Sequence, residues 1–263
     1  FLRTESNDKP NQGYENSIVS AGLGTGFEQF RNFKTSLGAS FSYDDLRTLS
    51  SASSTLKKQS GTFNELSANY GFTYDLRNRA FMPTSGSITS FSQALPVYAD
   101  KSSITNTFSH SAYKSITEDI VGAGKIYLST ISGLGSDDVR LSKRRNLSSF
   151  RMRGFERGKI GPIDGSDHVG GNYAAAINLE ANLPNVLPEN TNTDLGAFLD
   201  MGSVWGVDYD DSIEESNKLR SSAGLTLNWI SPIGPMSFVL SQNLSKADTD
   251  KTESFRFNLG TTF

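Results

Sequence analysis

The feature that most constrains this chain is a two-residue alternation of apolar and small polar side chains that returns in segment after segment. In residues 64–74, Leu66, Ala68, Tyr70, Phe72 and Tyr74 alternate with Glu65, Ser67, Asn69, Gly71 and Thr73. Residues 33–43 set Phe33, Leu37, Ala39, Phe41 and Tyr43 against Lys34, Ser36, Gly38, Ser40 and Ser42, and residues 17–27 set Val19, Ala21, Leu23 and Phe27 against serines and glycines. The pattern sharpens toward the C-terminus, in residues 172–183, 195–201, 219–229 and 236–244, and it ends in Phe255, Phe257, Leu259, Gly260 and Phe263. Successive strand side chains point to opposite faces, so this period predicts β-strands with one apolar and one polar face. Residues 1–7 read as the tail of another strand, and residues 87–96, 104–116 and 120–132 as weaker strands with mixed faces.

The count comes to about twelve strands of roughly ten residues, the length that crosses a bilayer when tilted. Two architectures meet the pattern: a soluble sandwich, with the apolar face as its core, and a barrel whose polar face lines a wet or loop-filled lumen. The connections favour the barrel. Those after residues 27, 116 and 229 are short, whereas 44–61, 133–171 and 207–218 are long and polar; 75–86 and 184–194 depart mildly from this alternation. Short turns on one side and long loops on the other form the outer-membrane pattern. No linker and no repeat of domain size divides the chain.

No stretch approaches ~18 uninterrupted apolar residues, so no transmembrane helix is expected. A mean hydropathy of −0.39 is compatible with a barrel, where only alternate strand residues meet lipid. A net charge of −3 argues against nucleic acid as a partner. The absence of cysteine removes disulfides and thiolate chemistry. The chain opens Phe1-Leu2-Arg3 with no signal peptide. An outer-membrane protein requires one, so a fragment of a longer polypeptide is expected.

The longest non-strand segment, 133–171, holds Arg151-Met152-Arg153-Gly154-Phe155, an unusual concentration of cations, glycine and aromatic for a loop, where functional residues gather. Other candidate chemistry is thin. His110 lies in a weak strand. His168 beside Asp164 and Asp167 suggests a metal or general base, but reads more simply as a polar surface loop. Asp208, Asp210, Asp211, Glu214 and Glu215 lack the glycine and terminal glutamate of a calcium loop and read as a solvated acidic loop. Lys143-Arg144-Arg145 either meets lipid phosphates or is solvated. No activated nucleophile or acid–base pair emerges, so no enzyme, cofactor or metal is expected.

Three motifs together resemble the outer-membrane assembly factor (BamA-like) family, which takes in bacterial insertases, their mitochondrial and chloroplast relatives and the two-partner secretion transporters. Met152-Arg153-Gly154-Phe155 is similar to the family's Val/Ile-Arg-Gly-Phe/Tyr loop motif, with Met152 replacing the branched residue. Tyr74-Asp75-Leu76-Arg77-Asn78-Arg79 followed by Phe81-Met82-Pro83-Thr84-Ser85-Gly86 resembles a turn ending in Pro-Thr-x-Gly. The third is Leu199-Asp200-Met201-Gly202-Ser203-Val204-Trp205, then Ser231-Pro232-Ile233-Gly234-Pro235, then the strand closing on Phe263. The resemblance covers nearly the whole chain.

It implies an all-β, transmembrane antiparallel barrel of sixteen strands, of which residues 1–263 are the C-terminal part, strands 5 to 16; the first strands and the periplasmic POTRA domains are absent from this sequence. It implies location in the bacterial outer membrane. The implied function is non-enzymatic insertion of client barrels, nascent outer-membrane proteins, through a lateral seam between first and last strands. The implied partners are outer-membrane lipids, lipopolysaccharide and, through the POTRA domains, accessory lipoproteins. The last strand, with Phe255, Phe257, Leu259, Gly260 and the terminal Phe263, would carry the gate and the targeting signal. The alternative is a translocation pore of the two-partner-secretion or TamA-like kind; a passive porin and a barrel enzyme are further rivals. In the family the loop enters the lumen and its arginine meets acids there. Strand parity puts Glu180 and Asp200 on the polar faces of adjacent strands, within reach of a loop that precedes them. The expectation is that Arg153 locks the loop to Asp200, Glu180 or both, with Phe155 filling apolar space and Gly154 permitting close backbone approach.

Overall fold

The computed structural model describes residues 1–9, 12–80, 82–183, 193–213, 218–231 and 234–259. Its alternating segments form one antiparallel sheet of twelve strands whose spatial order follows the sequence. These are β1 (Leu2–Lys9), β2 (Tyr14–Phe30), β3 (Phe33–Thr48), β4 (Gly61–Asp75), β5 (Ser85–Ala99), β6 (Ser103–Ser115), β7 (Val121–Gly133), β10 (Tyr173–Leu183), β11 (Thr193–Trp205), β12 (Arg220–Ser231), β13 (Gly234–Ser245) and β14 (Phe255–Leu259). A two-residue hairpin, β8 (Ile163–Asp164) with β9 (Asp167–His168), lies inside the long loop. Among the described residues β1 and β14 end the sheet.

The two faces settle which architecture the alternation builds. Apolar side chains point outward: Leu23 is 84% exposed, and Ile177, Leu179, Leu225, Leu240 and Phe257 are exposed with it. Polar ones point inward, with Asp200, Arg220 and Ser222 fully buried. A soluble sandwich would do the reverse. Each large apolar side chain left in water forgoes about 1.5–3 kcal/mol of burial, so this outer face requires lipid. The molecule is a transmembrane antiparallel β-barrel sheet. Aromatics gather toward the strand ends on opposite sides: Phe33 stacks on Phe72 and meets Phe30 and Tyr74 near one rim, while Tyr173 stacks on Trp205 at the other. Such girdles sit at membrane interfaces.

Strand connections alternate as expected, with one shift. Strand β3 runs to Thr48, so the polar connection predicted from residue 44 starts later. It carries a single helical turn, α1 (Ser54–Lys57), capped by the Ser53 side chain accepting from the Leu56 amide. The reason is the inward face of β3, where Asp44 and Leu46 are buried. Leu46 joins Tyr14, Leu56, Phe63, Leu141 and Val169 in an apolar cluster beneath the long-loop side. The mixed faces of β5–β7 also have a cause. Tyr70 donates to Gln93 at 2.8 Å, Asn106 to Thr130 at 3.2 Å, and Thr89 shares a 2.8 Å hydrogen bond with His110. By register these side chains lie on the outward face beside Ile126 and Leu128. His110 is therefore part of a self-satisfied polar ladder.

Loop 134–172 runs into the concave side. Its Arg140 pairs with Glu65 on β4, and its Arg153 pairs with Glu180 and Asp200 on β10 and β11. One loop touching both halves of the sheet means that the sheet curls around it.

Candidate functional site

Alternation places Asn178 and Glu180 on the inward face of β10, and Phe198 and Asp200 on that of β11, with Asn178 opposite Asp200 and Glu180 opposite Phe198. Arg153 descends onto this patch. Its Nε donates to Asp200 Oδ2 at 2.7 Å, its Nη2 to Asp200 Oδ1 at 2.6 Å and to Glu180 Oε1 at 2.9 Å, and its backbone amide to Asp200 Oδ2 at 3.0 Å. The guanidinium carbon lies 3.8 Å from the centroid of the Phe198 ring, a cation–π contact. Lys125 on β7 reaches Glu180 Oε2 at 2.6 Å, so two cations face two carboxylates and the cluster is neutral. Burial opposes the charge on Arg153, but the carboxylates outweigh it and hold its pKa above the ordinary value. Asn178 Nδ2 donates both to Asp200 Oδ1 at 2.7 Å and to the Arg151 carbonyl at 3.0 Å. A bidentate fork with every carboxylate oxygen of Asp200 engaged is the strong, geometrically selective form of this interaction.

The next two residues follow the sequence expectation. Gly154 adopts φ +86°, and a Cβ there would stand 3.0 Å from Cβ of Ser222 and 3.2 Å from Asn243 Nδ2. Only glycine accepts both the backbone conformation and the close approach. Its carbonyl takes hydrogen bonds from Asn243 at 2.8 Å and from the Glu253 amide at 3.1 Å, and the Ser222 hydroxyl donates to the Arg153 carbonyl. Phe155 is buried with Leu147, Met152, Ile160, Ala174, Ala176 and Val204. The structure thus brings together Arg153, Gly154, Phe155, Glu180 and Asp200. It leaves Phe255, Phe257 and Leu259 apart from them, exposed on the outward face of β14. Gly260 and Phe263 lie outside the described residues, as do Phe81, Glu214, Glu215, Pro232 and Ile233.

Three sequence readings change. Lys143, Arg144 and Arg145 are neither solvated nor turned to lipid. Lys143 pairs with Glu65 at 2.6 Å and Arg144 with Asp208 at 2.5 Å, while Arg145 donates to the Lys143 carbonyl. Asp208 is thereby a structural acceptor, taking the Val139 amide and Asn172 Nδ2 at 3.0 Å each. His168, Asp164 and Asp167 are buried, not a surface loop. His168 Nε2 faces the Thr249 carbonyl at 3.2 Å and Asp164 accepts from Tyr209 at 2.9 Å. Among the described residues no acid and histidine grouping is suited to a metal ion.

Sequence reasoning missed two further buried ion pairs. Arg140 bonds Glu65 Oε2 at 2.5 Å and approaches Asp44 at 3.7 Å. Arg220 holds Asp250 through two 3.0 Å hydrogen bonds, both side chains fully buried. The available signal was parity: Asp44, Glu65 and Arg220 all fall on polar strand faces.

An inward loop pinned by an arginine to facing acids, inside a barrel with an apolar exterior, invites comparison with known membrane barrels. The Omp85 superfamily domain matches residues 1–263. The chain belongs to the Omp85 superfamily. An outer membrane protein assembly factor BamA of Neorickettsia risticii (strain Illinois) is 25% identical over 268 residues, covering 98% of this chain but 35% of that protein's length. The crystal structure of BamA from Haemophilus ducreyi lacking POTRA domains 1–3 superposes with a TM-score of 0.83 at 23% identity, covering 97% of this chain and 56% of that one. CdiB from Acinetobacter baumannii superposes with a TM-score of 0.61 at 12% identity, covering 94% and 42%. At these identities the solved structures speak for the shared fold. This Omp85 chain lies in the bacterial outer membrane, its apolar face toward lipid.

Proposed function

We infer that this Omp85 chain is the C-terminal part of a barrel that assembles client β-barrel proteins into the bacterial outer membrane, without enzymatic chemistry. In this reading it supplies strands 5 to 16 of a sixteen-stranded barrel, preceded in the whole protein by four strands and POTRA domains that recruit accessory lipoproteins. The observation that carries it is the loop of Arg153. It occupies the lumen that a porin would leave open, and it braces β10–β11 against β13–β14. Among the described residues β14 ends the sheet, held by its β13 ladder and by the loop, so it is the strand whose release would open the wall. An unpaired strand edge accepts a client strand through backbone hydrogen bonds. Lipid and lipopolysaccharide surround the apolar exterior, and Gly260 and Phe263 belong with Phe255, Phe257 and Leu259 to the gate and targeting signal.

The test is to reconstitute the full-length protein in liposomes of outer-membrane lipids and add a urea-unfolded client barrel. Folded, heat-modifiable client should appear faster than on empty liposomes, and more slowly with Arg153→Ala. No acceleration by the wild type would refute the reading. The alternative reading is a secretion pore. A polypeptide delivered unfolded to the liposome interior would favour it.

A further inference from the structure

The five residues 151–155 face two ways. The Arg153 side chain binds β10 and β11, while the carbonyls of Arg153, Gly154 and Phe155 turn toward β12, β13 and β14 at the other end of the sheet. The last of them meets Arg256, on the lumen side of β14. Its Nη2 donates to the Phe155 carbonyl at 2.9 Å and its Nη1 to the Ser149 carbonyl at 3.1 Å. Its Nε donates to Glu253 Oε2 at 2.9 Å, which balances the charge and aims the fork. The segment leading into β14 pairs with the loop as well. The Glu253 amide donates to the Gly154 carbonyl at 3.1 Å, the Glu156 amide to the Lys251 carbonyl at 3.0 Å and the Lys251 amide to the Lys159 carbonyl at 3.1 Å, around an antiparallel bridge between Phe155 and Thr252.

We propose that Arg256 is a positioning residue that latches the last described strand to the lumen loop, so that β14 leaves its place only when this guanidinium lets go of the loop. The idea rests on the assembly reading for its purpose, but its geometry stands apart from it. Strand β14 pairs with β13 over Phe255 to Leu259 and ends the sheet among the described residues. Among the described residues it has the β13 ladder on one side and Arg256 on its inner face. The loop is itself tied to β10 and β11 through Arg153, and the latch makes that anchorage felt at the strand that would open. The two carbonyls, six positions apart in the chain, are each met by a different nitrogen of the planar guanidinium, whereas a lysine ammonium carries its three N–H groups on one nitrogen and is a point charge without the fixed fork. An open cleft of about 490 Å³ beside Arg256, lined by Glu156, Arg157, Thr252 and Asn258, leaves the side chain room to swing once released.

The test is amide hydrogen exchange on the full-length protein in lipid nanodiscs, comparing wild type with Arg256→Ala and Arg256→Gln. The glutamine variant keeps the inner part of the stem and a polar amide donor, which protects the fold, but is too short to reach both loop carbonyls. Exchange at 255–259 should accelerate on the order of tenfold in the alanine variant and less in the glutamine one, while amides of β10 and β11 stay as in the wild type. Arg256→Lys should not restore protection. In an Asp200→Asn background, where the loop is already loosened, Arg256→Ala should add little, a dependence that a merely local packing role does not produce. Unchanged exchange at 255–259, or full additivity with Asp200→Asn, overturns the latch. Client insertion measured on the same samples separates the two ideas: a wild type that inserts nothing refutes the assembly reading, while the exchange pattern still decides the latch.

Discussion

Removing the Asp200 carboxylate is the most telling perturbation. In the native barrel it accepts from Arg153 Nε, Nη2 and backbone N and from Asn178 Nδ2, and it is fully buried. Breaking a buried pair by deleting one partner costs about 3–5 kcal/mol, because the other charge stays buried without compensation. Glu180 still holds one nitrogen of Arg153, so Asp200→Ala belongs near the low end, about 3 kcal/mol. Arg153→Ala leaves two carboxylates facing Lys125 and Asn178 alone and also loses the contact with Phe198, which puts it at about 3–5 kcal/mol. The double variant removes the orphaned charges together, so its loss should fall short of the sum by about 2–3 kcal/mol. The assay is equilibrium unfolding by urea in lipid vesicles under conditions where refolding is reversible, with a check that the denaturant slope is unchanged. Additivity within about 0.5 kcal/mol would refute the argument that these groups act as one unit.

Other parts of the structure yield further expectations. Gly154→Ala forces a Cβ to 3.0 Å from Ser222 at φ +86° and should cost about 1–3 kcal/mol, seen as faster proteolysis of the loop. Leu179→Lys on the lipid face should cost about 2–4 kcal/mol if the residue sits near the bilayer midplane, measured by the same urea titration; no loss would contradict the outward assignment of β10. His168 has a pKa pushed below 6.5, chiefly by burial. Its Nδ1 lacks a hydrogen-bond partner among the described residues, so protonation would bury an unsatisfied charge. The unfolded chain takes up the proton first as pH falls, so stability is full above about pH 6.5 and declines below it. Limited proteolysis of the loop across pH 5–8 should show this loss in the wild type and not in His168→Gln.

Much of the site was legible before any coordinates because a strand has a strict period of two. Once residues 173–183 and 195–205 are strands, Glu180 and Asp200 must share a face, and a preceding loop rich in arginine is an obvious complement. The errors arose where loop path decided the outcome. Lys143, Arg144 and Arg145 look solvated as a charge run, yet each finds a specific acceptor. Arg140 meets Glu65 across 75 positions and Arg256 meets Phe155 across 101, separations for which no local pattern exists.

The sequence by itself determined the strand content, the antiparallel order with short and long connections on opposite sides, and the division of each strand into an apolar and a polar face, because these follow from backbone geometry residue by residue. Only the tertiary structure decided that the polar face turns inward and is closed by loop 134–172. That choice depends on the loop's cations reaching carboxylates on β3, β4, β10 and β11 at once, and a simultaneous long-range match of buried charges exists only when the sheet has curled around them.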